Sequence, residues 1–485
     1  MKKILVVGAG TMGSGIAMWF AQQNIAVQLF DIDQNFLTAA IKKCHDNWDI
    51  LLAKGKFEPE KLQKIKSNLQ GLNDLNFVDY HTDLVIEAII EKLNPKIEVF
   101  NTLHQKLHTN CIFATNTSGL SVEKIKASLP IERQHLFIGL HFFNPTTVMK
   151  LVEIVATPEQ MKISKTLKYF FEKNEKIPVI CQDKPGFICN RIARNFYGEA
   201  FRYAGVFDKN IFLTIDQIMR EVGGFKMGPF ELMDLIGIDI NLAATKNVWE
   251  GFGEDPRFAP HPIQQEMVNL GKIGNKCGEG FLNKEKLEAP PLTDMAYNTQ
   301  VIKNLSEKID DSAELVIDLS TSSIEDKVSF YKNLKAKKVK VMSDLSTYSK
   351  ESFELLLKHL DGSIANRFKN NDKVEVLLKV HDEKLLNSIY QTLDVSPVAH
   401  LHSKGHIFPR ILCMIFNEAK IAEEEKLASS EDLDLAMRFG LNYPKGPLSW
   451  INDFQKEEIQ KVLQNLPSYN KIEPAARYIR ADYFK

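Results

Sequence analysis

The residues with the most chemistry open to them lie between positions 118 and 153. An apolar run, Phe137–Leu140, delivers His141-Phe142-Phe143-Asn144-Pro145, and a second run, Lys150–Val155, carries a single acid, Glu153. Both read as strands of a buried sheet. A histidine beside two phenylalanines is ordinarily a core residue, but three features argue for chemistry here. His141 stands at a strand's carboxyl end, where ligands of open α/β sheets gather. Glu153 reaches it if the two strands are neighbours. Ser118, just past the strand Ile112–Ala114, and Asn144 converge on the same mouth. A carboxylate that fixes one ring nitrogen of an imidazole leaves the other as a general base. Such a pair suits removal of an alcohol proton while hydride leaves the carbinol carbon.

Hydride needs an acceptor, and the first thirty-one residues describe its binding fold. Ile4–Val7 reads as a buried strand, Gly8-Ala9-Gly10-Thr11-Met12-Gly13 as a turn, Gly15–Gln22 as a helix and Ala26–Phe30 as a second strand ending on Asp31. A GxGxxG alone is weak. Placed between strand and helix, with an acid eighteen residues past its last glycine, it is the fingerprint of dinucleotide binding. Gly8 is expected to allow the tight turn, Gly10 the approach of a pyrophosphate, and Gly13 close helix–strand packing. Thr11 and Met12 lie in the same turn, and the helix N-terminus favours phosphate. Asp31 favours NAD over NADP, because a carboxylate accepts from ribose hydroxyls and repels a 2′-phosphate.

The rest of the chain must position these groups. A lysine-rich helical stretch over residues 34–70 reads as a solvated hairpin inserted in the nucleotide fold, with the sharper reading that it faces a phosphorylated substrate. Strand character returns at Leu84–Ile86, and a helix follows to His108. From Pro185 the texture becomes all-helical and continues to a glycine-punctuated tail, residues 271–281. Residues 286–294 read as a linker. Then strand and helix alternate again over residues 314–380, but no glycine cluster follows any of these strands. That layer is expected to bind no nucleotide, giving one NAD per chain.

The last segment repeats the second. Gly186-Phe-Ile-Cys-Asn190-Arg191-Ile192 aligns with Gly405-His-Ile-Phe-Pro409-Arg410-Ile411, and Glu199-Ala200 with Glu418-Ala419. Asp216 stands twelve residues before Gly228-Pro229, as Asp434 does before Gly446-Pro447. Pro409 in place of Asn190 marks the second copy as worn. The expected fold class is therefore an α/β Rossmann-like N-terminal domain (1–184, with the hairpin), an all-α domain (185–285), a degenerate α/β layer (286–400) and a second all-α copy (401–485).

Composition narrows the partners. With 61 basic and 62 acidic side chains the net charge is −1, giving no global drive toward nucleic acid or an anionic membrane. The six cysteines form no CxxC pair and no zinc-like spacing with histidine, so no metal is expected and a reducing compartment is. The N-terminal apolar run is too short for a signal peptide, and no run is long enough to span a bilayer. The expectation is a cytoplasmic protein.

Seven segments, taken in order, carry a resemblance: VVGAGTMGSGIA, VIEAIIEKLNPK, TNTSGLSV, GLHFFNPTTVMKLVEIV, DKPGFICNRI, GPFELMDLIG and GKIGNKCGEGF. Together they resemble the L-3-hydroxyacyl-CoA dehydrogenase family over residues 1 to 285 or so, and the tail resembles its longer bacterial form, of the 3-hydroxybutyryl- and 3-hydroxyadipyl-CoA dehydrogenase type, including enzymes of phenylacetate breakdown. The resemblance implies reversible, NAD-dependent oxidation of an L-3-hydroxyacyl-CoA to a 3-ketoacyl-CoA, as in fatty-acid β-oxidation. It puts the family's catalytic histidine on His141 and its partner acid on Glu153. The substrate oxygen would meet Ser118 and, from the helical domain across a closing cleft, Asn190. NAD contacts would fall on Gly8, Gly10, Gly13, Asp31, Glu91, Lys96 and Asn144, and a CoA-phosphate contact on Lys54. NTSG replaces the usual NTSS but leaves Ser118 intact, and GFLN lacks the aromatic that often follows GF. The duplicated helical segment implies an intramolecular pseudo-dimer, and whole chains can still pair through the middle layer. Two rival readings stand beside this one: a related dehydrogenase of a 2-hydroxy acid or sugar, and a non-catalytic NAD-binding scaffold. Retention of Ser118, His141, Glu153 and Asn190 beside a copy that lost its asparagine argues against the scaffold.

Overall fold

The apolar runs Ile4–Val7, Leu84–Ile86 and Phe137–Leu140 are buried on both faces, which calls for a mostly parallel sheet covered by helices. In chain order the elements are β1 (Lys3–Val7), α1 (Thr11–Gln22), β2 (Ala26–Phe30), α2 (Gln34–Ala53), α3 (Pro59–Ser67), β3 (Leu69–Leu72), β4 (Leu84–Glu87), α4 (Leu93–His104), β5 (Ile112–Thr115), α5 (Val122–Lys126), α6 (Ile131–Gln134), β6 (Phe137–Phe142), β7 (Leu151–Val155), α7 (Met161–Lys173), β8 (Ile177–Cys181) and α8 (Cys189–Ala204). This computed structural model describes residues 1–56, 58–287, 295–401, 404–469 and 480–485. The chain divides into two compact units, Met1–Arg191 with Glu425–Leu441, and Ile192–Glu424 with Asn442–Lys485.

In the first unit the strands run in the order β3-β2-β1-β4-β5-β6-β7-β8. All neighbours are parallel except β6 and β7, which pair antiparallel with His141 directly opposite Glu153. The sheet is Rossmann-like, with the glycine turn at the carboxyl end of β1. Four local expectations are corrected. The lysine-rich stretch is not helical to residue 70: α3 ends at Ser67, and Leu69–Leu72 is an edge strand parallel to β2. His141 lies inside β6 and not beyond it, because pairing with β7 extends the strand to Phe142. The helix after the glycine turn begins at Thr11, not Gly15. The chain also adds α7 and β8 before the helical texture begins.

The second unit continues with α9 (Lys209–Glu221), α10 (Pro229–Ile236), α11 (Ile238–Gly251) and α12 (Pro262–Asn269). Asp216 explains the spacing to Gly228-Pro229: its carboxylate accepts from the Phe230 and Glu231 N–H groups that open α10. A Cβ on Gly228 would lie 2.3 Å from that carboxyl carbon, so only glycine fits. Of the linker expected over 286–294, residues 288–294 lie outside the described ones.

Then come β9 (Thr299–Ile302), β10 (Leu315–Asp318), α13 (Ile324–Ala336), β11 (Lys340–Ser343), α14 (Lys350–Leu357), β12 (Gly362–Ile364), β13 (Lys373–Leu378), α15 (Glu383–Leu393) and β14 (Ser396–His400). Their sheet runs β14-β13-β12-β11-β10-β9, with only β12 and β13 antiparallel. This order reproduces β8-β7-β6-β5-β4-β1 of the first sheet. A second detail repeats with it. Lys96 pairs with Glu87 at the end of β4 at 2.6 Å, and Lys327 pairs with Asp318 at the end of β10 at 2.5 Å, each lysine nine residues after its acid. The middle layer is thus a reduced copy of the Rossmann-like domain. Residues 303–314 join β9 to β10 directly, where the first copy inserts the glycine turn, β2, β3 and the hairpin.

The last helices are α16 (Ile407–Glu424), α17 (Ser430–Gly440), α18 (Pro447–Trp450) and α19 (Lys456–Tyr469). Within the second unit the two helical copies pack together through buried charge. Arg410 directs two N–H groups to Glu199 Oε1, at 3.1 and 2.7 Å, and Arg257 donates to Glu418 at 3.1 Å. Arg202 closes the first pair from the other side. Glu199 and Glu418 are the two repeat-related glutamates. The α17 helix, by contrast, belongs to the first unit and packs against β7 and β8, where Gln182 N donates to Leu427 O. No described helix is long and apolar enough to cross a membrane.

Candidate active site

The glycine turn behaves as its residue types demand. Gly8 has φ +103°, and a Cβ there would stand 2.6 Å from Ala88 O. A Cβ on Gly13 would stand 1.8 Å from Gly8 O, so α1 approaches β1 only with glycine at that position. Nothing lies within 4 Å of the Gly10 Cβ direction, which leaves that face open. Asp31 at the end of β2 accepts from Ala9 N at 2.7 Å, tying the acid to the turn. A cavity of about 910 Å³ runs from Gly8, Gly10, Thr11 and Met12 past Asp31 to Ile89. These residues fit the adenosine half and pyrophosphate of a dinucleotide: open backbone at a helix N-terminus, then an acid.

On the other side of the turn a second cavity, about 560 Å³, is lined by Ser14, Lys43, Asn47, Asn144 and Thr146 among others. Lys54, the lysine expected to meet a CoA phosphate, is exposed at the C-terminal end of α2 and does not line this cavity. Lys43, nearer the middle of the same helix, does.

β6 is fixed by its alternate faces. Phe142 packs among Trp19, Phe20 and Phe171, which turns the preceding residue, His141, to the opposite side of the sheet. The Phe142 N–H donates to Asn116 Oδ1 at 2.9 Å, locking β6 to the end of β5. His141 is 7% exposed, with Phe143 and Phe187 at ring distances of 4.5 and 5.8 Å. Its Nδ1 lies 2.6 Å from Glu153 Oε2. A carboxylate only accepts, so Nδ1 carries the proton and Nε2 keeps its lone pair.

Glu153 is fully buried and its other oxygen is also used. Oε1 accepts from the N–H groups of Ile188 and Cys189, at 3.0 and 2.9 Å, at the start of α8. The next residue is Asn190, whose Nδ2 donates to Ser118 O at 3.3 Å. The structure therefore brings Ser118, His141, Glu153 and Asn190 into one neighbourhood of the first unit. Burial and the Glu153 charge push the Cys189 thiol well above its ordinary value, so it stays protonated.

Glu91 and Lys96 sit behind Ser118. Glu91 Oε1 accepts from Thr117 Oγ1 at 2.6 Å and from Ser118 N at 2.9 Å. Against the burial that would raise it, the Lys96 charge and these hydrogen bonds hold the Glu91 carboxyl below its ordinary range. Lys96 is 1% exposed and its ammonium bridges Glu87 and Glu91, at 2.6 and 3.2 Å. It thus braces the acid and offers little surface of its own. Asn144 is exposed at the mouth and borders the smaller cavity.

One residue escaped the sequence reading. Lys176, before β8, is buried and donates to Thr146 O and Met149 O, both at 2.5 Å, with Trp19 5.0 Å beneath it. Burial lowers its ammonium to about 8. It pins the loop that follows His141, yet a lysine between a helix and a strand carries no signal of that task.

The fold and its glycine turn are those of a dinucleotide-binding protein, and comparison with known proteins gives the family. The family model of the 3-hydroxyacyl-CoA dehydrogenase NAD-binding domain matches residues 3–184, and that of its C-terminal domain matches residues 186–284 and again 405–480. The chain belongs to the 3-hydroxyacyl-CoA dehydrogenase family. It is 31% identical over 473 residues to a 3-hydroxyadipyl-CoA dehydrogenase of Escherichia coli K12, covering 96% of this chain and 94% of that one. It is 35% identical over 288 residues to a 3-hydroxybutyryl-CoA dehydrogenase of Clostridioides difficile, covering 59% of this chain and all of that one. The crystal structure of an E. coli 3-hydroxybutyryl-CoA dehydrogenase superposes with a TM-score of 0.80 at 29% identity, covering 100% of this chain and 97% of the other. NAD is the family's cofactor.

Proposed function

We propose that the chain oxidises the hydroxyl of an L-3-hydroxyacyl-CoA to a ketone, with His141 as general base. The observation that carries this is the 2.6 Å contact of His141 Nδ1 with Glu153, which leaves the lone pair of Nε2 available. Bound NAD supplies a hydride acceptor. His141 Nε2 takes the hydroxyl proton as the carbon–oxygen double bond forms, and Glu153 stabilises the resulting imidazolium. The Ser118 hydroxyl and the Asn190 amide hold the substrate oxygen as its charge grows. The turn residues Gly8 to Gly13 and Asp31 hold the adenosine half and pyrophosphate; Glu91, braced by Lys96, and Asn144 serve the nicotinamide end. For CoA we add Lys43 and Asn47, which line the smaller cavity, to the expected Lys54.

Two short-chain substrates fit the relatives: 3-hydroxybutyryl-CoA, and 3-hydroxyadipyl-CoA, which the full-length E. coli relative is named for. Relatives that span both copies carry each of these names, so both thioesters are proposed as substrates. The four segments, 1–184, 185–285, 286–400 and 401–485, are then two tandem copies of one two-domain plan, and the helical pair is an intramolecular version of a dimer contact held at high effective concentration. Cytoplasmic residence accords with an NAD-dependent enzyme whose described cysteines are all unpaired. NADH formation with each thioester, compared between the native chain and His141→Gln, tests the reading.

A further inference from the structure

The second α/β layer keeps the carboxylate of the first site and surrounds it differently. Glu375 holds on β13 the place that Glu153 holds on β7. Glu153 lies beside Val179 of the next parallel strand, and Glu375 beside Val398. Each accepts two successive N–H groups at the start of the following helix; for Glu375 these come from Ile407 and Phe408, at 2.7 and 2.9 Å. The residue opposite Glu153 is His141, whereas Ala365 donates its N–H to Glu375 O across β12 and β13. The imidazole of the first site is gone. Two others have arrived. His400 stands on β14 where Cys181 stands on β8, and His406, just ahead of α16, takes the place that Phe187 holds in the sequence repeat, just ahead of α8.

These two rings close over Glu375. His400 Nε2 is 2.8 Å from Oε1, and His406 Nδ1 is 3.6 Å from the same oxygen. The proton on His406 can be placed. The Ser363 hydroxyl donates its only hydrogen to Ser343 O at 3.0 Å, so His406 Nε2, 3.0 Å from Ser363 Oγ, must be the donor in that contact. Nδ1 of a neutral His406 is then a bare lone pair, without a hydrogen-bond partner, aimed at a carboxylate. His406 is 3% exposed and Glu375 0%. Two such acceptors facing each other out of water require a positive charge between them.

We propose that Glu375, His400 and His406 form a binding site for a divalent cation of the zinc type. Their three ligand atoms lie within 4.8 Å of one another. Donors about 2.0–2.1 Å from a tetrahedral ion stand roughly 3.4 Å apart, and the present 2.8 and 3.6 Å separations straddle that value. Two imidazoles and a carboxylate select zinc or cobalt over magnesium or calcium. Ser363 supplies the outer contact that fixes the ring of a metal-bound histidine. Binding releases the His400 Nε2 proton and links β13, β14 and the start of α16.

The test uses the full-length, untagged chain, stripped with a chelator and titrated with Zn²⁺ alone, with Co²⁺ as a visible-spectrum probe. The expected result is one ion per chain, tetrahedral cobalt bands and a thermal midpoint that rises with zinc. His406→Gln and His400→Gln should each lose the ion, and Ser363→Ala, which keeps all three ligands, should bind about ten- to a hundredfold more weakly. The proposal is overturned if the native chain binds no stoichiometric ion, and ring-nitrogen shifts showing a doubly protonated His406 would then identify the charge that faces Glu375. It is equally overturned if both histidine variants keep the ion. The native titration does not depend on any variant folding.

Discussion

Glu153 Oε2 meets His141 Nδ1 at 2.6 Å while its Oε1 accepts two N–H groups at the helix start that carries Asn190. One buried carboxylate thus orients the base and anchors the strand–helix junction next to it. Glu153→Gln should lower kcat about a thousandfold or more, because an amide can present its NH₂ to Nδ1 and favour the wrong tautomer. It should also lower the thermal midpoint, since the helix N–H groups lose an anionic acceptor. His141→Gln should lower kcat by about a hundredfold or more with little change in midpoint. Steady-state rates and melting curves of both variants check this; equal midpoint losses would show that the pair is only structural.

Asn190 donates to Ser118 O in the resting site and is proposed to hold the substrate oxygen. Asn190→Ala should reduce kcat about a hundredfold, the ordinary cost of one oxyanion donor, and leave NAD affinity unchanged. Single-turnover rates with NAD titrated separately distinguish this from a folding defect.

Asp31 accepts from Ala9 N and borders the larger cavity. Asp31→Ala should raise the KM for NAD by about tenfold, the equivalent of one charge-assisted hydrogen bond, and narrow the preference over NADP. Initial rates with both cofactors measure it.

Lys176 is the group with a pH signature. Its ammonium is lowered by burial to about 8, against 10.5 when exposed. Between those values the unfolded chain holds more protons, so this group's contribution to stability rises as pH climbs through about 8 toward 10.5. The midpoint difference between the native chain and Lys176→Met should therefore grow in the native chain's favour over that range. A difference that stays flat would contradict the burial argument.

Residues 425–441 pack their α17 helix on β7 and β8, with Cys189 Sγ donating to Ala436 O. A chain truncated after residue 285 exposes that face of the catalytic sheet, beside Glu153. It should aggregate or melt at a markedly lower temperature, read by light scattering and circular dichroism. A stable, fully active monomer would refute the role given to the second copy.

Much of this was legible in the sequence because its signals are local. The glycine turn needs particular residue types at fixed spacing, and the apolar runs of β1, β2, β4 and β5 are long enough to stand out. The repeat of Asp216 with Gly228-Pro229 was visible because a buried acid and a Cβ-free neighbour must be kept together. What stayed hidden depends on partners far away in the chain. β6 gains two residues because β7 pairs with them; β3 and β12 are short strands held by their neighbours and carry little pattern of their own. The copied topology of residues 299–400 left no motif, because deleting the glycine turn removed the one stretch with fixed residue types. Glu375 looked like any strand acid until its register matched that of Glu153.

The most direct test of the account is NADH production from 3-hydroxyadipyl-CoA and 3-hydroxybutyryl-CoA, followed in the near ultraviolet with the native chain and His141→Gln side by side. The account predicts steady turnover of at least one thioester by the native chain, a loss of about a hundredfold or more in the variant, and one NAD bound per chain in both. NAD binding without turnover of either thioester, or equal rates in the two proteins, would contradict it.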